Sequence, residues 1–395
     1  MSRKSNDTRV RQFAAMALVA SIGMAACQVG VDPIDPSSMT IENSRIEALP
    51  GADGNRWGTE VAPEGTRWLA PGDNALCVSS LIDDDVQEVC APWEDSLTRM
   101  GVSWSSDGQQ VLFTQDHFIM ANEPDVALFD IDAGTIEVLT QDNDDDYFSG
   151  EESGPVDLAP FFGPDDEIYL WRSLREADGG EPTFQLHRLG SDGFLIPIDG
   201  ARLAPDTAPL QPAVAAGDDR WLLTTLPSGA PANQLLALAF DGDSVQMEQL
   251  ETPGLTTAWL VAAGQSRAIV VDQDQAAAQR QELTWLLLDL KTGASTQAPA
   301  ESDLMPLGAN ISPDGSYGLI ASYDPETGEI TLVAWEFAED GRADPLLVTD
   351  ALSVDSTSLV TGFGTHQLVL GWGPQAPISM TSEPDEMILL TPGSS

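Results

Sequence analysis

Residues 102–140 read VSWSSDGQQVLFTQDHFIMANEPDVALFDIDAGTIEVLT and hold four short apolar segments separated by turn residues. The second segment follows Asp107-Gly108, and the fourth follows Ala133-Gly134. Short runs rich in branched and aromatic residues, bounded by turns, are typical of β-strands. Glycine is favoured in tight hairpin turns because these need positive φ. The stretch therefore predicts a unit of four antiparallel strands.

The same pattern recurs along the chain at a mean spacing of about 50 residues. Seven turns start the repeats, at Glu64-Gly65, Asp107-Gly108, Asp165-Asp166, Gly217-Asp218, Gly264-Gln265, Asp314-Gly315 and Gly364-Thr365. The apolar runs that follow, each assigned to the second strand of its unit, are RWLA, QQVLF, EIYLW, RWLLT, RAIVV, YGLIA and QLVLG. Units of this length and composition predict an all-β fold, a single β-propeller of seven four-stranded blades. Six or eight blades, or a solenoid of the same units, are the alternatives.

The two ends of the repeat array predict how the ring closes. The last unit has no outer strand after Met387–Leu390, and Thr40–Leu49 precedes the first full unit with no local partner. An open row of sheets would leave both terminal edges unpaired. We therefore expect Thr40–Leu49 to supply the missing outer strand of the last blade.

Several segments resemble the WD40-like propeller repeats of the periplasmic TolB type. These segments are Ser106-Asp107-Gly108, Ser312-Pro313-Asp314-Gly315, FDIDAGTIEVLT (129–140) and LDLKTGAST (288–296). The resemblance covers residues 60–390 unevenly and is strongest at 102–140 and 306–350. It implies a propeller that acts outside the cytoplasm. No counterpart of the additional N-terminal α/β domain of TolB is found, so the resemblance does not extend to the same role.

The N-terminus has the organisation of a bacterial export signal. An apolar stretch, residues 13–26, is too short for a stop-transfer helix and predicts a signal peptide at residues 1–26. The basic residues before it are Arg3, Lys4, Arg9 and Arg11. Met24-Ala25-Ala26-Cys27 resembles a lipobox, which implies that Cys27 is lipidated and anchors the protein. The alternative is an ordinary cleaved signal peptide in which Cys27 is incidental.

The residues after Cys27 predict a tether. Residues 27–39 contain two prolines and few bulky apolar groups, a composition typical of an extended linker, and the propeller follows at 40–395. Gln28 is compatible, by the lipoprotein resemblance, with sorting to the outer membrane. The predicted location is therefore the bacterial cell envelope, with the propeller outside the cytoplasm and the membrane reached through the lipid anchor.

Cys77 and Cys90 remain as a pair if Cys27 is lipidated. A hairpin that turns at Asp83-Asp84 places Val78 opposite Val89 and Cys77 opposite Cys90. Directly opposed cysteines on antiparallel strands can form a disulfide, and an exported protein meets an oxidising environment. A metal site is the alternative, which the absence of a nearby histidine disfavours.

The charge balance excludes several kinds of partner. The chain has 63 acidic and 17 basic residues, a formal net charge of −46, and lysine only at Lys4 and Lys291. Nucleic acids and anionic lipid surfaces both need clustered Lys and Arg, so neither is expected as a partner. Apolar residues make up 42% of the chain, which is enough for a folded core.

A search for catalytic, metal and cofactor motifs predicts none of these sites. His117, His187 and His366 lack the spacing of zinc ligands, and no Walker loop, dinucleotide fingerprint or nucleophile elbow occurs. The acidic run 142–152 offers alternate carboxylates for Ca²⁺ but lacks the EF-hand Gly and Glu, so a solvated loop is the simpler interpretation. Residues 272–282 suggest a short helical insertion, with a partner-binding projection as the alternative. The tryptophans indicate blade packing in preference to a sugar platform.

The sequence thus favours a non-catalytic envelope lipoprotein whose propeller binds an envelope protein or a ligand. No cofactor is expected. The alternative from another class is an extracytoplasmic propeller enzyme, a hydrolase or lyase that acts on glycans or peptides. Three or more convergent carboxylate, Arg or His side chains around a pocket would favour that alternative.

Overall fold

The computed structural model describes most of the predicted strands and turns. The residues described are 39–48, 60–62, 67–72, 74–82, 85–93, 97–117, 124–140, 155–174, 183–217, 219–227, 233–242, 244–252, 258–272, 284–297, 305–311, 317–323, 329–337, 343–353, 368–372, 377–383 and 386–394. The signal peptide at 1–26 and the tether up to residue 38 lie outside them, and both stay predictions. Within the part of the chain that the structure describes, no helix has the length and apolar character needed to cross a bilayer.

The described strands form seven antiparallel sheets, which we number as blades in chain order. Blades 1 to 3 comprise β2 (Glu60–Val61), β3 (Arg67–Gly72), β4 (Ala75–Ile82) and β5 (Asp85–Pro92); β6 (Leu97–Trp104), β7 (Gln110–His117), β8 (Asp125–Asp130) and β9 (Thr135–Val138); and β10 (Asp157–Phe162), β11 (Ile168–Leu174), β12 (Thr183–Leu189) and β13 (Leu195–Arg202).

Blades 4 to 7 continue in the same way, except that blade 4 has a divided first strand and blade 7 takes its last strand from the start of the chain. Their strands are β14 (Thr207–Pro209), β15 (Val214–Ala215), β16 (Arg220–Pro227), β17 (Gln234–Asp241) and β18 (Ser244–Leu250); β19 (Ala258–Ala263), β20 (Arg267–Asp272), β21 (Thr284–Asp289) and β22 (Ser295–Gln297); β23 (Met305–Ile311), β24 (Tyr317–Tyr323), β25 (Glu329–Phe337) and β26 (Ala343–Ser353); and β27 (Leu368–Trp372), β28 (Pro377–Glu383), β29 (Glu386–Ser394) and β1 (Met39–Ala48).

The blades follow one another around a ring. Each packs against the next along the chain, and β27 of blade 7 contacts β2 of blade 1. The all-β propeller fold is therefore confirmed, and the seven described sheets match the seven sequence repeats. The exact blade count stays a prediction.

The ring is closed by the first strand of the chain. β1 pairs antiparallel with β29, with Ile46 opposite Leu390 and Ala48 opposite Ile388. This confirms the expected closure by the N-terminal strand, which is Met39–Ala48 in the structure. β29 runs to Ser394, further than the predicted Met387–Leu390.

The assignment of strands in the last unit was wrong by one position. QLVLG, predicted to be a second strand, contributes to β27, which is the first strand of blade 7. The second strand is β28, with the sequence PISMTSE. Its alternating polar residues and N-terminal proline give no continuous apolar run of the kind found in the second strands of the other units.

Apolar side chains fill the spaces between blades. The cluster between blades 3 and 4 contains Phe161, Tyr169, Trp171, Trp221 and Phe240, with the Trp221 and Phe240 ring centroids 4.9 Å apart. The cluster between blades 1 and 2 contains Leu69, Val78, Trp104, Phe113 and Phe129. The described core is therefore a series of layers, each shared by two neighbouring sheets.

Arginine side chains join neighbouring blades at one recurring position. Arg220 and Arg267, each the first residue of a second strand, donate from Nη1 to the carbonyls of Leu290 and Phe337 in the next blade, at 3.0 and 3.1 Å. Arg67 occupies the same position in blade 1 and donates to Gly108 O in blade 2 at 2.8 Å. Charge-assisted bonds of this kind are stronger than neutral ones.

The meander gives the ring two different faces. We call the face with the connections between first and second, and third and fourth, strands the turn face; it carries turns such as 105–109 and 131–134. The opposite face, where second strands lead to third strands and fourth strands lead to the next blade, is the loop face. Because Met39 pairs with Ser394 at the end of β29, the chain enters the ring on the turn face.

Deleting residues 39–48 should destabilise the whole propeller. The deletion leaves β29 as an unpaired edge and opens the ring, so we expect the melting temperature to fall by about 10 °C or more. Deleting the ten residues 29–38, which precede β1, is the matched control and should leave the melting temperature unchanged. Equal melting temperatures for the two deletions, measured by differential scanning calorimetry, would show that the seam contributes little.

Candidate functional site

The centre of the ring is entered by a segment of blade 4. Residues 210–213 interrupt the innermost strand between β14 and β15, and Pro212 packs against Gly101 of blade 2. Gln211 donates from Nε2 to Leu260 O of blade 5 at 3.2 Å. This short segment therefore contacts blades 2 and 5, which are not neighbours in the ring, and it occupies space at the ring centre.

Gln211 is 3% exposed, and no hydrogen-bond partner of its Oε1 is found among the described residues. The donor side of this buried amide therefore fixes the segment to blade 5.

The innermost strands bulge where they line the ring centre. The register shifts between Met100 and Val102 in β6 and between Leu158 and Phe161 in β10. The bulged residues Gly101 and Ala159 have φ of +58° and +50°. This left-handed conformation suits glycine, so Gly101 meets a backbone requirement as well as the close approach of Pro212.

Replacing Gly101 with alanine should lower the free energy of unfolding by more than the backbone conformation alone explains. A Cβ at residue 101 would lie 2.9 Å from Pro212 Cδ, whereas a Cβ at Gly200, where φ is +77°, has no neighbour within 4 Å. We expect Gly200→Ala to cost about 1–2 kcal/mol and Gly101→Ala about 1–3 kcal/mol more. Equal losses in urea denaturation would mean that the Pro212 contact is unimportant.

Two of the buried ionisable side chains among the described residues, Asp157 and His187, lie on blade 3. Asp157 begins β10 and is 1% exposed, and it accepts two hydrogen bonds from Arg172 of β11, from Nε at 2.7 Å and Nη2 at 2.6 Å. A two-point contact between a guanidinium and a carboxylate has the best geometry for burying both charges. The main-chain N–H of Asp157 also donates to Pro124 O of blade 2 at 3.2 Å.

His187 lies on the same face of the blade. It is opposite Leu170, which packs against Leu112 and Val126 of blade 2. The Nδ1–H of His187 donates to Gln185 O at 3.1 Å, and the side chain is 7% exposed. The imidazole therefore faces the space between blades 2 and 3.

Burial lowers the pKa of His187 below its usual value, because desolvation disfavours the charged ring. The hydrogen bond to Gln185 and the charge of Asp157 oppose this effect, and the charge of Arg172 reinforces it. His187 is consequently neutral in the folded protein at neutral pH. A neutral, enclosed imidazole and an ion pair with a buried carboxylate stabilise the contact between two blades.

Folding stability should fall as the pH drops below the ordinary His pKa of about 6.5. In that range the unfolded chain binds a proton at His187 that the folded protein does not. The contribution of the neutral imidazole to folding stability is therefore complete above the ordinary pKa, and it is lost as the pH falls towards the lowered pKa of the folded protein. His187→Gln should remove this part of the pH dependence. Thermal unfolding from pH 5 to 8 measures it, and identical slopes for the variant and the wild type would contradict the assignment.

The structure brings Cys77 and Cys90 together. The two residues are directly opposite on β4 and β5, in the register that the sequence predicted, and a disulfide joins them with a Cα–Cα distance of 4.1 Å. The pair lies on the sheet face that also carries Trp68, the face turned away from the apolar cluster between blades 1 and 2. Formation of the bond in the exported protein stays a prediction.

The remaining predicted residues are spread over the chain. Cys27, His366 and the acidic run 142–152 lie outside the described residues, as do 273–282 of the predicted insertion. His117 ends β7. Trp68, Trp221 and Trp285 are buried among the blades, which agrees with a packing role.

Sequence reasoning missed the functional groups that depend on neighbours across strands and blades. Asp157 and Arg172 are 15 residues apart and carry no motif. Glu88 lies two residues from Cys90 and therefore on the same face of β5, a signal that the predicted hairpin register already contained. Gln211 stands in an interrupted strand that has no counterpart among the described strands of the other blades.

Comparison with known proteins supports the fold. No protein-family model matches the chain, and no curated protein matches it. A solved structure from a study of two prolyl endopeptidases and their inter-domain dynamics is similar, with a TM-score of 0.50 and 13% identity over 100% of this chain and 57% of that chain. This chain thus spans little more than half the length of that protein.

Two further solved structures are similar at lower scores. Oligogalacturonate lyase from Vibrio parahaemolyticus has a TM-score of 0.49 and 11% identity, over 73% of this chain and 79% of that chain. The β-propeller domain of the Trilobed protease from Pyrococcus furiosus has a TM-score of 0.48 and 11% identity, over 83% and 91%. The described strands and their pairing define the class of the chain as a β-propeller, and the activities of these proteins remain their own.

Proposed function

We propose that the chain is a lipid-anchored protein of the bacterial cell envelope whose propeller binds a protein or ligand without catalysing a reaction. The observation that carries the proposal is the position of β1. The strand that closes the ring is also the first element after the predicted tether, so an anchor at Cys27 would be attached directly to the seam.

The point of entry gives the anchored ring an orientation. Met39 lies on the turn face, and eleven residues separate it from Cys27. Fully extended, such a linker reaches about 40 Å. The turn face would therefore face the membrane at a short distance, and the loop face would be directed towards partners.

The charge of the protein supports the need for a covalent anchor. A chain with a net charge of −46 is repelled by anionic head groups and does not adsorb to them. Stable attachment then depends on the several acyl chains that a lipidated cysteine carries, because one chain alone binds membranes weakly.

The resemblance to the periplasmic TolB-type repeat and the residue Gln28 support an outer-membrane location and an envelope protein as partner. A propeller presents binding surfaces on its faces, which vary freely on a constant scaffold. The acidic surface favours a partner with complementary positive charge.

The enzyme alternative has one observation in its favour, the convergence of Asp157, Arg172 and His187. The ion pair is mutually satisfied and the imidazole is enclosed between two blades. A general acid or base must reach the substrate within hydrogen-bond distance, directly or through one water. The described geometry of these three residues therefore supports a structural role.

Changing Cys27 to alanine should move the protein from the membrane fraction to the soluble fraction without changing its melting temperature. The reason is that the anchor precedes the folded domain and makes no strand pair. Cys77→Ala is the matched control, since it also removes one cysteine but should leave the protein in the membrane fraction. Immunoblots of fractionated cells measure both, and a Cys27→Ala protein that stays with the membrane would refute lipid anchoring at this residue.

A further inference from the structure

Three potential ligands for a soft metal ion lie on one face of the β4–β5 hairpin. Cys77 is opposite Cys90, and Ser79 is opposite Glu88; the two pairs are two rows apart in the ladder and therefore lie side by side on one face. The two Sγ atoms and a carboxylate oxygen of Glu88 all lie within 4.8 Å of one another. Ser79 donates from Oγ to Glu88 Oε1 at 3.3 Å, which holds the carboxylate beside the cysteine pair.

The two cysteines differ in their access to solvent. Cys77, on the third strand of blade 1, is 2% exposed, whereas Cys90, on the outermost strand, is exposed. An external thiolate can therefore reach the disulfide at Cys90. Exposed disulfides are the ones that exchange and respond to the redox environment, whereas enclosed ones resist reduction.

The hairpin does not depend on the disulfide for its register. The ladder extends from the Ala75–Pro92 pair to the Ile82–Asp85 pair, and Val78 and Val89 face the apolar cluster between blades 1 and 2. If the bond is reduced, the two thiols therefore stay opposite each other, with Glu88 alongside.

We propose that the reduced pair, with Glu88, forms a binding site for a thiophilic divalent cation such as Zn²⁺. Zinc accepts thiolate and carboxylate ligands in a tetrahedral arrangement, and a water molecule would complete the set. In the oxidised protein each sulfur is bonded to the other and neither can act as a thiolate ligand. The disulfide thus acts as a redox gate on metal binding.

Reduction of the Cys77–Cys90 disulfide is balanced by oxidation of an external dithiol. Its two thiols provide two electrons and two protons, it becomes a disulfide, and the S–S bond between Cys77 and Cys90 breaks to give two thiols. Binding of the cation then releases the two thiol protons, because the ligands are thiolates. Hard cations such as Ca²⁺ and Mg²⁺ prefer oxygen ligands and are not expected to bind.

The test uses the full chain carrying Cys27→Ala, so that the hairpin is its source of thiols. A phosphine reductant under anaerobic conditions should release two thiols while circular dichroism stays unchanged. Co²⁺, used as a spectroscopic probe, should then give a thiolate charge-transfer absorption at one equivalent, and Zn²⁺ should abolish it by displacement. The oxidised protein should give no such absorption.

Two variants distinguish metal binding at this site from nonspecific metal binding by the many carboxylates of an acidic protein. Glu88→Gln should raise the dissociation constant for Co²⁺ by more than about tenfold, since even residues outside the ligand shell contribute that much. Glu137→Gln, an exposed carboxylate on the outermost strand of blade 2, should change nothing.

Three results would overturn the proposal. The first is a disulfide that the reductant leaves intact in the folded protein. The second is a reduced protein that gives no charge-transfer absorption with Co²⁺. The third is a Glu88→Gln protein that binds Co²⁺ as tightly as the unchanged chain.

Discussion

The pairing of β1 with β29 is the constraint on which the rest of the structure depends. Each of blades 1 to 5 buries apolar side chains against the next blade along the chain. An open row of such sheets would expose apolar surface at its ends as well as an unpaired edge. The chain runs directly from each of blades 1 to 6 into the next blade, whereas blade 7 is linked to blade 1 only through β1, which is held in its sheet by the non-covalent pairing with β29. Ring closure therefore makes all the layers depend on one another.

The net charge of the protein destabilises the closed ring, because the excess carboxylates repel one another in a compact body. The few arginines counteract this at defined places. Arg67, Arg220 and Arg267 donate to carbonyls of the following blade, and Arg172 neutralises the buried Asp157. The basic side chains thus stabilise contacts between blades, while the carboxylates of the turns stay in solvent and keep the surface acidic.

The sequence predicted what local patterns determine. The hairpin register that pairs Cys77 with Cys90 followed from its symmetric apolar pattern, and the closing strand followed from an unpaired segment at each end of the array. Contacts between blades were not predictable, since Asp157, His187 and Gln211 meet their neighbours across strands and blades, at separations that carry no periodic signal. β28 was missed because its sequence, PISMTSE, mixes apolar and polar residues and contains no apolar run.

Native-state hydrogen exchange tests the central claim most directly. If β1 completes the ring, the hydrogen-bonded amides of β1 and β29 exchange only when the whole propeller unfolds, with the same free energy as amides in β16 and β17 of blade 4. We therefore expect the same free energy of exchange, with the same dependence on denaturant concentration, for the amides of β1 and β29 as for those of β16 and β17. Rapid exchange of the β1 amides under conditions where β16 and β17 stay protected would contradict it, because the ring would then be stable without its seam.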